Sequence, residues 1–165
     1  MLTLPEIVER PAQAYAFITF TVRMDQMKQP ADEGFPALFS WLGQRGIEPV
    51  GAPFYNYRRI NMSKTLDVEA GVPIARLVEG EGRVQTGTLP AGKFVMLDWF
   101  GHYDGLMGAN AMLIGWVRLT QTELDMKTEG EDDYFACRLE IYETDPSEEP
   151  DPEKWQTRLA FKVKG

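Results

Sequence analysis

One pattern constrains this chain more than any other: a strand–helix–strand–strand order that occurs twice. Tyr15 to Val22, "YAFITFTV", is rich in aromatic and β-branched residues, with both faces largely apolar, and predicts a strand. "EGFPALFSWLGQRG" predicts a helix. Phe35, Leu38, Phe39 and Leu42 fall at i, i+3, i+4 and i+7, Pro36 suits a first turn, and Gly46 suits a stop. "GAPFYNYRRIN" and "TLDVEAGVPIARLV" predict two further strands joined by a polar turn. The order then returns. "GKFVMLDWF" predicts a strand, and "YDGLMGANAMLIGWVRLTQTEL" predicts a longer helix with Leu106, Leu113, Trp116, Val117 and Leu124 on one stripe. A strand through "CRLEIY" and a final strand, "TRLAFKV", complete the second unit. "EGEGRVQTGTLPAG" is expected to connect the halves, and "KTEGEDD" to form an acidic loop.

Two βαββ units without a long linker predict an α+β fold. The expectation is a single domain over 1–165 built from two pseudo-symmetric repeats, about 12–80 and about 90–165. Each half should lay a helix on one face of an antiparallel sheet. The faces left over should form a central ligand cleft. Composition supports an independently folding core. The chain has 165 residues, 44% hydrophobic and 12% aromatic, so no metal or disulfide is needed to hold it.

Charge narrows the partners. Seventeen basic residues against 25 acidic ones give a net charge of −8, which disfavours a nucleic-acid backbone or an anionic membrane surface as partner. It mildly favours cationic or neutral ligands. The single cysteine, Cys137, excludes an internal disulfide and points to a reducing compartment. "MLTLPEIVERP" has neither a basic n-region nor a long apolar run, so a cytoplasmic location is expected.

The stretch "CRLEIYETDP" holds the main chemical candidate. With period two, Phe135, Cys137, Leu139 and Ile141 point one way, and Tyr134, Ala136, Arg138, Glu140 and Tyr142 the other. Glu140 is then either an exposed strand carboxylate paired with Arg138 or Lys162, or a pocket carboxylate. Tyr142 shares its face. Other chemistries are poorly supported. One His (His102) and one Cys cannot build a usual zinc cluster, no G-x-S-x-G elbow exists, and "GEGRVQTG" lacks the Lys-Ser/Thr of a phosphate loop. The acidic loops lack EF-hand spacing. No metal and no cofactor are expected.

An ordered set of segments carries a resemblance: "GIEPVGAPFYNY", "DVEAGVPI", "GRVQTGTLPAG", "GHYDGL" with a Trp-containing helix, and "EIYETDPSEEPDPEKWQTRL". Together they resemble the GyrI-like small-molecule-binding domain, similar to the effector-binding domain of multidrug-sensing regulators of the MerR and AraC types. The resemblance implies a ligand cleft with an acidic residue on the strand before the "DP" loop and aromatic walls. Glu140 matches that acid. Tyr142, Trp99, Tyr57 and Phe54 are the expected wall residues, Trp99 and Tyr57 being pocket wall or plain core on their spacing alone. Such regulators carry a separate helix-turn-helix module, for which this chain has no evident room. One departure is visible: Thr157-Arg158-Leu159 stands where the family commonly has Thr, an acid and an apolar residue.

The resemblance implies three functions. The first is a stand-alone protein that sequesters or senses hydrophobic, cationic small molecules. The second is a hydrolase of reactive cyclopropane-type xenobiotics, with Glu140 as general base and Tyr142 as proton donor. The third is an inhibitor of DNA gyrase acting by protein contact, which would give the chain a protein partner, gyrase or a separate regulator.

Overall fold

Strands dominate the computed structural model, which describes residues 1–165. In chain order the elements are β1 (Glu6–Arg10), β2 (Gln13–Val22), α1 (Phe35–Gln44), β3 (Phe54–Ile60), β4 (Leu66–Pro73), β5 (Gln85–Leu89) and β6 (Gly92–Phe100). They continue with α2 (Leu106–Leu119), β7 (Met126–Glu129), β8 (Asp132–Phe135), β9 (Arg138–Tyr142) and β10 (Gln156–Lys162). All ten strands join one antiparallel sheet in the order β1-β6-β10-β9-β3-β4-β2-β5, with the β7–β8 hairpin attached to β3. No helix is long and apolar enough to cross a membrane.

Connectivity forces this sheet to curl. Only Pro90 and Ala91 separate β5 from β6, so their ends lie within about 11 Å. In the strand order they stand six spacings apart, about 29 Å across a flat sheet. The sheet therefore wraps round, and its two faces have different fates.

The inner face closes on one continuous apolar cluster. It includes Tyr15 and Phe17 of β2, Phe54 of β3, Phe94 and Met96 of β6, and Leu139 and Ile141 of β9. The outer face carries the helices as two separate clusters. Leu38 and Leu42 of α1 pack on Ile18, Phe20, Val68 and Val72. Ala109, Leu113 and Val117 of α2 pack on Val95, Leu97, Leu159 and Phe161. The alternation of these residues along β2, β4, β6 and β10 is the period-two rule at work.

The structure departs from the sequence expectation in several places. The sheet face opposite the helices is not an open groove; the curl closes it with core. The "FACRLEIY" stretch is not one strand with one alternation. β8 ends at Phe135, the Ala136 N–H donates to Asp125 O at 3.0 Å, and β9 starts at Arg138. Across this break the phase changes, so Phe135 joins the α2 cluster while Cys137, Leu139 and Ile141 line the inner face. The lead-in contains β1 and the connector contains β5. The acidic "KTEGEDD" segment folds into the β7–β8 hairpin, whose two-residue turn is opened by Gly130 at φ 65°.

Candidate functional site

The two helices leave the middle of the outer face, strands β9 and β3, between them. β9 presents Arg138, Glu140 and Tyr142 on that face. In register, Tyr55 of β3 stands beside Glu140 on one side and Leu159 of β10 on the other. Asn110 of α2 reaches down onto the same spot.

Glu140 is buried, at 6% exposure. A carboxylate there loses its hydration and must find donors. It finds three: the Tyr142 hydroxyl donates to Oε1 at 2.5 Å, the Tyr57 hydroxyl to the same oxygen at 3.3 Å, and Asn110 Nδ2 to Oε2 at 3.3 Å. Burial pushes the Glu140 carboxyl above the usual carboxylate range, and these donors with the nearby Arg138 charge pull against it. Burial, with the Glu140 charge beside them, pushes the Tyr57 and Tyr142 phenols well up. Both tyrosines are therefore donors, not bases, at neutral pH.

Arg138 shares the face but makes no ion pair with Glu140. Its guanidinium lies over the rings of Phe161, at 4.3 Å from the centroid, and Phe135, at 4.8 Å. Nη2 donates to Asn110 Oδ1 at 3.2 Å, and the buried Nε has no partner. Asn110 thus stands between the cation and the carboxylate, bonded to both.

Aromatic rings surround the acid. Tyr55 meets Tyr142 edge-on at 5.3 Å and Tyr57 at 6.1 Å. Phe35, the first residue of α1, packs at 5.8 Å from Tyr55 and 6.3 Å from Tyr142. From Tyr142 the aromatic run continues outward to Tyr103 at 5.7 Å and on to Trp155 at 5.0 Å, where exposed His102 stacks. The arrangement is a buried carboxyl group enclosed by aromatic rings.

Of the residues expected from sequence, the structure brings Glu140, Tyr142 and Tyr57 together. Phe54 is a correction: one position along β3 from Tyr55, it points to the inner face and packs with Tyr15, away from Glu140. Trp99 lies on the helix-bearing face but is used differently. Its indole N–H donates to His102 O at 3.0 Å, and its ring lies against Gly101 and Gly105, bracing the turn that opens α2. Arg158 pairs with Asp98 at 2.8 Å and Lys162 with Asp125 at 3.0 Å, so neither serves Glu140.

Asn110 and Phe35 were not singled out as site residues. Asn110 had a signal: with Leu106, Leu113 and Val117 it falls on the buried stripe of α2, where an amide needs a polar partner. Two hollows lie elsewhere. One of about 470 Å³ is lined by Arg58, Arg59, Asp67, Asp125, Lys127 and Tyr134 among others, and one of about 160 Å³ by Glu6, Asp98 and Arg158 among others. In these hollows Arg59 pairs with Asp67 and Asp132, and Arg158 with Asp98.

Residues 4–164 match the family described as the GyrI-like small molecule binding domain. The chain belongs to this family. Solved structures share the fold of this GyrI-like chain. The EcmrR C-terminal domain superposes with a TM-score of 0.72 at 19% identity, covering 98% of this chain and 97% of that one. Within the EcmrR–DNA complex the TM-score is 0.79, again at 19% identity; 98% of this chain is covered, but only 57% of the regulator's length. SAV2435, solved bound to tetraphenylphosphonium, matches with a TM-score of 0.60 at 11% identity, covering 99% and 95% of the two chains. A hydrolase from Listeria innocua matches with a TM-score of 0.63 at 14% identity, covering 97% and 91%. No curated protein sequence matches.

Proposed function

We infer that this GyrI-like chain binds hydrophobic, cationic small molecules between its two helices, with Glu140 as counter-ion, and so sequesters or senses them. The observation that carries the reading is the state of Glu140. It is buried and hydrogen-bonded, yet it has no ion pair in a site walled by Tyr55, Tyr57, Tyr142 and Phe35. Leaving a buried carboxylate without a cation is costly, and a lipophilic cation offsets that cost. That SAV2435, of the same fold, is solved with tetraphenylphosphonium supports this class of ligand.

The fold is read in the same terms. Residues 1–165 form one ligand-binding domain, with pseudo-symmetric repeats at about 12–80 and 90–165. The strand order supports this, because β6-β10-β9 of one half meets β3-β4-β2 of the other at the β9–β3 pair, beside the site.

A second reading, hydrolysis, is favoured by one contact. The Tyr142 hydroxyl lies 2.5 Å from a carboxylate whose affinity for protons is raised. Glu140 could then take a proton from water while Tyr142 supplies one to a leaving group. One experiment separates the readings. Incubation with tetraphenylphosphonium and with a strained cyclopropane electrophile is followed by mass spectrometry of protein and solution. A binder retains the phosphonium and returns both compounds unchanged. A water-adduct of the cyclopropane compound, formed catalytically, favours the hydrolase, and failure to retain the phosphonium contradicts the binding reading.

A further inference from the structure

The geometry points to Arg138 as the charge-selectivity residue of the Glu140 site: a built-in cation, held one amide away from the carboxylate, that opposes any second positive charge brought to Glu140. The inference rests on the reading of Glu140 as ligand counter-ion and adds what limits the cation it accepts.

Three observations carry it. Arg138 and Glu140 sit two residues apart on one face of β9, yet Asn110 separates them, accepting from Nη2 at 3.2 Å through Oδ1 and donating to Oε2 at 3.3 Å through Nδ2. The guanidinium is fixed by the Phe161 and Phe135 rings rather than by an acid. Its Nε is buried without a partner, so the cation is held here at the expense of a hydrogen bond. A direct Arg–Glu pair would occupy the carboxylate oxygens. The amide spacer takes only Oε2 and leaves Oε1 to the Tyr57 and Tyr142 hydroxyls, while the Arg138 charge still acts through a low-dielectric gap.

Its effect on Glu140 has a definite sign. The titratable groups facing Glu140 are Tyr55 and Tyr57 on β3, Tyr142 and Arg138 on β9, and Tyr103 before α2; Asp133 adds its charge near Arg138. Arg138 is the one cation among them. It favours the ionised carboxylate, which a cationic ligand needs, and it repels that same ligand. Removing it raises the proton affinity of Glu140 and removes the repulsion together.

The test measures tetraphenylphosphonium and the neutral triphenylphosphine oxide by calorimetry from pH 5 to 9 with wild type, Arg138→Met and Arg138→Lys. In Arg138→Met the phosphonium should bind about tenfold more tightly at the alkaline end and lose affinity more steeply as pH falls. The phosphine oxide should keep a flat profile, and Arg138→Lys should resemble wild type. An unchanged or weaker phosphonium affinity at pH 9, with the phosphine oxide unaltered, overturns the inference. Should neither probe bind wild type, the functional reading fails, and the Glu140 titration followed by carboxyl-carbon NMR decides alone. An upward move in Arg138→Met, reversed in Arg138→Lys, supports the role of Arg138, and an unmoved titration overturns it. Arg138→Gln, which can still donate to Asn110, replaces Arg138→Met if that variant does not fold.

Discussion

Glu140 is a buried acid whose three hydrogen-bond donors are all neutral. Its carboxyl is raised by burial, as is that of Glu69 on the inner face, which accepts from Tyr15 at 2.6 Å and Asn56 at 3.0 Å. A carboxyl raised in the folded state binds its proton more tightly there than in the unfolded chain. The stability it contributes is therefore complete below the ordinary glutamate range and is lost as pH rises through the folded value. Asp67, lowered mainly by its hydrogen bond from Arg59, acts with the opposite sign and loses its contribution as pH falls. Glu140→Gln should consequently raise the melting temperature by a few degrees at pH 7–8 and by much less near pH 4. Thermal unfolding across that range checks it, and an equal shift at both ends would contradict the burial argument. The alternation through "CRLEIY" made the grouping of Arg138, Glu140 and Tyr142 legible. The partner on α2 was less so, because its signal is a single polar residue, Asn110, within an apolar stripe.

Trp99 shows how the second helix is placed over that acid. The indole fills the space where Gly101 and Gly105 lack side chains; a Cβ on Gly105 would lie 2.2 Å from Trp99 Cζ2. Gly105 has ordinary φ, so its requirement is steric, not conformational. Gly105→Ala should displace Trp99 or the start of α2 and cost about 1–3 kcal/mol, measured by urea unfolding. A change under about 0.5 kcal/mol would show that α2 is not braced there. The paired strand–helix–strand–strand order was visible in sequence because its hydrophobic periods are long and clear. β1 and β5 were not. "EIVER" and "QTGTL" are short, polar edge segments whose pairing with β6 and β2 is non-local. Alternation also says which residues share a face but not which face receives a helix, and so Phe54 was grouped with Glu140 although it packs on the other side of the sheet.

The molecule as a whole resolves that ambiguity through its curl. With β5 tied to β6 by two residues, one face closes on itself, and the Glu140 cluster lies on the other, helix-bearing face. The gap between α1 and α2 lies over the β9–β3 pair, and it is where the Glu140 carboxyl lies. The proposed role of Glu140 is that of a ligand's counter-ion rather than a buried strut. Its most direct test is the affinity difference between tetraphenylphosphonium and triphenylphosphine oxide, measured by calorimetry at pH 8 in wild type and in Glu140→Gln. Pairing with a buried carboxylate should favour the cation by about 1–3 kcal/mol in wild type, roughly ten- to a hundredfold, and the preference should largely vanish in the variant while the aromatic contacts keep both compounds bound. Equal affinities in wild type, or a preference that survives Glu140→Gln, would contradict it.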